Sequence, residues 1–416
     1  MASAPRRTAL VKMHTSSTRA TIPAPTTTTR RAAAAGSDRA TMATPTPMRS
    51  LLVAVIGAGA AGLVAARELR REGHYPVVFE RGAGVGGTWI YEPPAPAEEE
   101  EDGHSSMYES LRTNLPREVM GFLDFPFAAV PGSLDARRFP RHEEVLRYIH
   151  EFARRFDLSG LVRFRAEVTA VVRVLQDGRW TVRWRNKAAA AGVGGGADDA
   201  GEAGEEEEQE EAYDAVVVCN GHYTEPRIAD IPGVDAWPGK QMHSHSYRVP
   251  DPFHDQVGAP PSVSIQLLSC ATGGDISREI AGVAKEVHMA NRASPAATCE
   301  RLPGYHNLWL RSMVERADPD GSVVFRDGSS VKADVIMHCT GYKYSFPFLE
   351  QQQGSIISVH DNRIHPLYKH VFVPQLAPNL AFIGLPFKVI PFPMAQLQAS
   401  WVAGARGGSS SRRRRR

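Results

Sequence analysis

The segment VAVIGAGAAGLVAARELRREGHYPVVFER, Val53 to Arg81, leaves this chain few folds to choose from. An apolar run ends in Gly57, Gly59 and Gly62 with the spacing G-x-G-x-x-G, an amphipathic stretch follows, and a second apolar run closes on Glu80. Strand, glycine turn, helix and strand in that order make one βαβ unit. Gly57 permits the tight turn, Gly59 lets the backbone approach a pyrophosphate, and Gly62 lets the helix pack close to the strand. The helix N-terminus then turns free N–H groups and its positive dipole end toward an anion. Glu80 ends the second strand where an acid can bind ribose hydroxyls. Without this context a glycine turn is also explained by packing alone. With it, the unit is expected to bind a dinucleotide.

The rest of the chain is organised around that unit. At 416 residues, 42% of them hydrophobic, it is long enough for two domains with their own cores. Residues 1–49 are rich in Ala, Thr, Ser and Arg with Asp38 as the sole acid, and cannot build a core. They read either as an organelle transit peptide or as an unstructured extension upstream of a start near Met42 or Met48. HEEVLRYIHEFARRFDL is a second amphipathic helix, with Val145, Ile149 and Phe152 inward and Glu143, Glu144 and Arg147 mostly outward. Strands follow at VRFRAEVTAVVRV, RWTVRWR and EAYDAVVVCNGHY. Between the last two, an Ala/Gly segment ending in an acidic run is expected to be a solvated loop over 185–211. A second α/β stretch after Pro226 runs through SVSIQLL, DISREIAGVAKEV and VHMANR. The expected class is therefore α/β with two dinucleotide-binding, Rossmann-like domains, the second inserted into the first. Its expected parts are 50–230 and 336–403 for the first domain and 231–335 for the second, with a basic tail at 404–416.

Composition excludes several functions. A net charge of +2 predicts neither a nucleic-acid nor a membrane partner, and no apolar run approaches the ~20 residues of a membrane helix. Cys219, Cys270, Cys299 and Cys339 form no C-x-x-C pair, which argues against a zinc knuckle, a disulfide scaffold and a dithiol centre. His243 and His245 form H-x-H without a visible third ligand, so a structural link between domains is expected and not a metal. Cys219 and Cys339 read as small core residues.

GAGVGGTWIYE places a second glycine turn, with Gly86, Gly87, Thr88 and Trp89, directly after Glu80. With the first turn it resembles the FAD site of flavin-dependent monooxygenases. YESLRTNLPREVMGFLDFPF (Tyr108 to Phe127) narrows the resemblance to the flavin-containing monooxygenases, nearest their plant S-oxygenating, glucosinolate S-oxygenase-like branch. WPGKQMHSHSYR fits that family's F-x-G-x-x-x-H-x-x-x-Y, with Trp237 for Phe and with Gly239, His243 and Tyr247 in place. Thr340, Gly341 and Tyr342 carry its T-G-Y, and NLAFIGLPFKVIPFPMAQLQASWVA resembles its closing FAD segment around Gly384, Gln398 and Trp401.

The resemblance implies FAD and NADPH as cofactors and oxygenation of a soft sulfur or nitrogen nucleophile by molecular oxygen through a flavin hydroperoxide. It implies Asn114 as the oxygen-activating amide, although an Asn before Leu-Pro is also a common local turn. It implies a small-molecule substrate, no nucleic acid and no transmembrane segment, and leaves the oligomeric state open. The scattered cysteines make a reducing compartment the default, so the expected location is cytoplasmic, or plastid or mitochondrion if 1–49 is targeting sequence. The family's second glycine turn, G-x-S-x-S-G before D-I-S-R, is altered: Leu268 takes the first glycine, Cys270 and Thr272 the serine positions, and Gly273 the last glycine. Arg292 is placed to meet the 2′-phosphate of NADPH. A glycine-only conformation at 268 makes Leu cost on the order of 1–3 kcal/mol. The family also continues beyond the helix that carries Trp401. Three readings thus stand: a working monooxygenase, an uncoupled NADPH oxidase that leaks hydrogen peroxide, and a silent FAD-binding protein. Disulfide reductases lack their cysteine pair here, and Baeyer–Villiger oxygenases share His243 within a related signature.

Overall fold

The computed structural model describes residues 50–94, 105–187, 208–254, 263–268, 271–349 and 356–406. The expectations for 1–49, the interior of the acidic loop, Cys270 and the basic tail from 407 lie outside them, while residues 404–406 of that expected tail continue the last helix. The chain opens with β1 (Leu52–Ile56), α1 (Ala60–Arg71) and β2 (Tyr75–Phe79). After α2 (Arg117–Met120), α3 (His142–Arg155) and β3 (Val162–Arg163), a meander of β4 (Ala166–Arg173), β5 (Trp180–Asn186) and β6 (Glu208–Tyr213) leads into β7 (Ala215–Val218). Then come β8 (Glu225–Pro226), β9 (Lys240–His243), β10 (Val263–Leu268), α4 (Ala271–Ile280), β11 (Glu286–Asn291), β12 (Cys299–Arg301) and β13 (Leu308–Arg311). The hairpins β14 (Val314–Ala317), β15 (Ser322–Phe325) and β16 (Ser330–Lys332) precede β17 (Val335–Cys339) and β18 (Tyr342–Lys343). The chain closes through β19 (Ser358–His360), β20 (Arg363–His365), β21 (Leu380–Phe382) and α5 (Pro391–Arg406).

Two mainly parallel sheets result. The first has the order β21-β7-β1-β2-β3, the second β12-β13-β11-β10-β17-β9. β1 is central because Val53, Ala54 and Val55 are fully buried and pair with β2 on one side and β7 on the other. α1 and α5 pack together over this sheet, burying Leu63, Ala66, Ala395, Ala399 and Val402 in one apolar cluster. β10 is equally central in the second sheet, between β11 and β17. Parallel strands covered by helices give the doubly wound layers that the two βαβ patterns predict. The second sheet lies in sequence between β7 and β21 of the first.

Several details differ from the sequence reading. Glu144 is fully buried in α3, because Arg117 and Arg147 meet its carboxylate at 3.5 and 2.9 Å and the Leu134 N–H donates to it. Its pairing outweighs the helical periodicity that placed it outward. The acidic run does not stay a loop to 211: Glu208–Glu211 enters β6 and pairs with β5 while its first three side chains stay exposed, Arg183 of β5 meeting Glu210 at 3.0 Å and Arg163 of β3 meeting Glu211 at 2.7 Å. Opposite charges across the ladder replace the self-repulsion expected of a glutamate run. The stretch VRFRAEVTAVVRV is two strands in two sheets, split at Arg165, which has a left-handed φ of 57°. β17 belongs to the second sheet, so a division at 335/336 falls at the start of that strand and not after it.

Candidate functional site

At the first glycine turn Gly57 has φ +101°, and a Cβ there would stand 2.6 Å from the Cys219 carbonyl oxygen. A Cβ on Gly62 would stand 1.8 Å from the Gly57 carbonyl oxygen, so strand and helix close against each other through two bare backbones. Gly59 differs, since nothing lies within 3.6 Å of its added Cβ. The Gly87 backbone stands there at ordinary contact distance, so the two glycine turns meet at Gly59. Gly59 caps α1 without any side-chain hydrogen bond, leaving the first-turn N–H groups for a ligand. The second turn comes to the same place: Gly87, with φ +57°, lies against Gly59, and Gly86, with φ +142°, leaves room for Leu146. Glu80 accepts hydrogen bonds from the Ala58 and Gly82 N–H groups at 2.7 and 2.8 Å, bracing the turn. Each carboxylate oxygen keeps a lone pair for a ribose hydroxyl. Gly384, with φ +88°, faces Ala61 of α1, and its N–H donates to Gln398 at 2.9 Å. These residues fit the flavin nucleotide.

Thr88 ties this turn to the segment that carries Asn114. Ser105 Oγ donates to the Thr88 carbonyl, and the Thr88 and Ser106 hydroxyls lie 3.2 Å apart. Trp89 packs edge-on to Phe392 of α5. Asn114 is exposed, on a loop held by hydrogen bonds from Thr113 N–H to Pro140 and from Arg117 N–H to Arg138. A free amide on a fixed loop can donate and accept without changing charge.

The two later signatures meet at the crossing between the sheets. His243 Nδ1 accepts from the His245 N–H at 3.0 Å, so Nε2–H donates to the Gly341 carbonyl at 3.1 Å. Thr340 Oγ1 donates to the Arg227 carbonyl, and the Arg227 guanidinium returns two hydrogen bonds to the Thr340 carbonyl. β8 and β18 pair through Pro226 and Tyr342. Burial pushes His243 down to about 4, with His245 adding to the shift. Both its nitrogens are engaged with backbone, and among the described residues no three His, Cys, Asp or Glu side chains gather as metal ligands. Gly239 lies under the Trp237 indole, where a Cβ would stand 2.1 Å from the ring. Tyr247 packs against Tyr108 with ring centroids 5.6 Å apart. Cys219 and Cys339 are both buried at strand ends.

The second unit repeats the first residue by residue. Gly57 lies three residues before α1 and beside Cys219; Leu268 lies three before α4 and pairs with Cys339. Gly62 and Gly273 are each the third residue of their helix, with Thr272 preceding in α4. Leu268 also pairs with Asn291, so Asn291 stands where the first unit has Glu80, and exposed Arg292 follows. An amide followed by a guanidinium suits a 2′-phosphate, which a carboxylate would repel. This end fits NADPH. The other end departs: β10 runs through Leu268, whereas β1 stops before Gly57, leaving two residues instead of three between strand and helix.

Two such nucleotide sheets, one bearing a doubled glycine turn, define a two-nucleotide flavoprotein. The sequence matches the profile described as flavin-binding monooxygenase-like over residues 51–301 and 305–410. It is 53% identical over 380 residues to flavin-containing monooxygenase FMO GS-OX-like 2 of Arabidopsis thaliana, covering 88% of this chain and 76% of that one. The structure resembles S-allyl-L-cysteine S-oxygenase from Allium sativum, with a TM-score of 0.77 and 53% identity over 86% of this chain and 77% of that one. It also resembles Tmm from Pelagibacter sp., with a TM-score of 0.68 and 26% identity over 85% and 75% of the two chains. The chain belongs to the flavin-binding monooxygenase-like family, with FAD and NADPH as its cofactors. Sequence reasoning missed Arg248, which lies one residue beyond the Tyr247 signature and joins most of these parts.

Proposed function

We propose that the chain oxygenates the soft sulfur of a small thioether, or a comparable amine nitrogen. The observation that carries this reading is the likeness to an S-oxygenase over most of both chains, at 53% identity. The balance is thioether, O₂, NADPH and a proton going to sulfoxide, NADP⁺ and water. When bound, the nicotinamide supplies a hydride and the flavin transfers one oxygen atom to the substrate. Gly57, Gly59, Gly62 and Gly87 make the backbone cradle, and Glu80 holds it open. Asn114 presents a neutral amide to the reacting centre, and His243 with Thr340, Gly341 and Tyr342 fixes how the two sheets meet. Among the described residues no helix is long and apolar enough to cross a membrane, in keeping with a small-molecule substrate met in the aqueous phase. The same reading, with the boundary moved past β17, gives 50–230 and 340–403 to the flavin domain and 231–339 to the NADPH domain, and a cytoplasmic enzyme unless 1–49 directs it to an organelle.

Incubating the FAD-loaded protein with NADPH and a methyl thioether tests the reading: sulfoxide formed in proportion to NADPH supports it, and NADPH loss without sulfoxide or N-oxide rejects it. The course of β10 through Leu268 favours one second reading, an uncoupled oxidase in which weakly held NADP⁺ leaves the site open to water. Peroxide released close to one per NADPH identifies that case.

A further inference from the structure

Arg248 is 8% exposed, yet no carboxylate lies within 4 Å of its guanidinium among the described residues. All its bonds go to backbone carbonyls: Nε donates to Glu92 at 2.9 Å, Nη1 to His245 at 2.6 Å and Tyr247 at 3.1 Å, and Nη2 to Ser105 at 2.8 Å. Its own carbonyl accepts from the Glu109 N–H at 2.9 Å. The Glu92 carboxylate is turned to the Ser105 N–H at 3.1 Å and acts on Arg248 only from a distance. Glu92 follows the flavin turn, Ser105 docks on Thr88, Glu109 leads to Asn114, and His245 and Tyr247 belong to the crossing between the sheets.

We propose that Arg248 is a positioning residue that fixes the distance between the flavin turn and the Asn114 amide. The guanidinium fork suits this because it holds several carbonyls in one plane, which a single ammonium cannot do. A buried cation without a carboxylate is costly, so Arg248 adds little to stability by charge pairing. Without the fork, the Asn114 loop is joined to Thr88 among the described residues only through Ser105 and Ser106. A shift of about 1 Å at a reacting centre costs on the order of a hundredfold in rate, so this one side chain governs coupling without touching substrate.

The inference rests on the oxygenase reading, and its test separates the two. The full FAD-loaded chain is compared with Arg248→Lys and Arg248→Met by hydrogen exchange, flavin circular dichroism, NADPH KM and peroxide released per NADPH with a thioether present. In both variants amides of 105–116 are expected to exchange about tenfold faster while those of β1 and α1 keep their protection. Peroxide release is expected to rise severalfold, with KM for NADPH held within about twofold. Exchange over 105–116 equal to the parent's overturns the proposal, as does faster exchange with unchanged peroxide release. If the parent oxygenates nothing, the oxygenase reading fails, and exchange with flavin dichroism decides Arg248 alone: both must change for the proposal to survive. Should Arg248→Met not fold, Arg248→Lys carries the same comparison.

Discussion

Single backbone atoms decide what binds here. Gly62→Ala pushes a methyl into the Gly57 carbonyl, a contact between two backbones with no flexible side chain to give way. Overpacking of this kind costs about 1–3 kcal/mol, so FAD affinity is expected to fall roughly 5- to 150-fold. The flavin-to-protein absorbance ratio after gel filtration measures it, and full flavin content would refute the close-approach argument. Leu268→Gly is the mirror experiment in the second sheet. Restoring the freedom that Gly57 has at φ +101° is expected to tighten NADP⁺ binding by a similar factor, read by calorimetry on the FAD-loaded chain. Unchanged affinity would show that the strand position of Leu268 already admits the pyrophosphate.

At the scale of elements, α3 shows how a polar residue can be structural. Glu144 collects Arg117, Arg147 and the Leu134 N–H, and Arg117 is itself buried. Glu144→Gln removes the charge and leaves the Arg117 guanidinium underground without its partner. Losing one member of a buried pair costs roughly 3–5 kcal/mol, so the urea midpoint is expected to drop clearly. Little change would mean that backbone carbonyls satisfy Arg117 by themselves; it does donate to those of Arg137 and Asp135. The sequence made the α3 periodicity legible through Val145, Ile149 and Phe152 but not the inward Glu144, because the buried Arg117 that meets it belongs to α2, twenty-seven residues earlier. The glutamates of β6 are hidden because their partners come from other strands, Arg183 from β5 across the meander and Arg163 from β3 of the first sheet.

Over the whole molecule, both glycine units could be read from the chain because turn, helix and strand are contiguous in each. Of the crossing that joins them, the linking role of His243 could be read but its partners could not, since His243 meets Gly341, and Arg248 meets Glu92 and Ser105, only after two sheets have formed. That wide distribution of buried polar groups sets the response to acid. Burial pushes His222, His243 and His288 each down to about 4, with His245 adding to the shift at His243 and the Arg311 guanidinium adding to it at His288. In the unfolded chain all three titrate near 6.5. Between those values the unfolded state binds more protons, so stability is complete above about pH 6.5 and is lost as pH falls toward 4. Each histidine contributes at most about 3 kcal/mol to that loss. Asp135, held well below the ordinary carboxylate range by Arg137, adds its own loss only below its unfolded value of 3.8. The melting temperature of the FAD-loaded chain is therefore expected to decline from pH 6.5 downward, before any carboxylate titrates. His243→Asn, which keeps a polar side chain at the crossing without a titrating ring, is expected to flatten that decline. A melting temperature that stays level to pH 4.5 in the parent would mean that the three rings remain accessible to protons in the folded state.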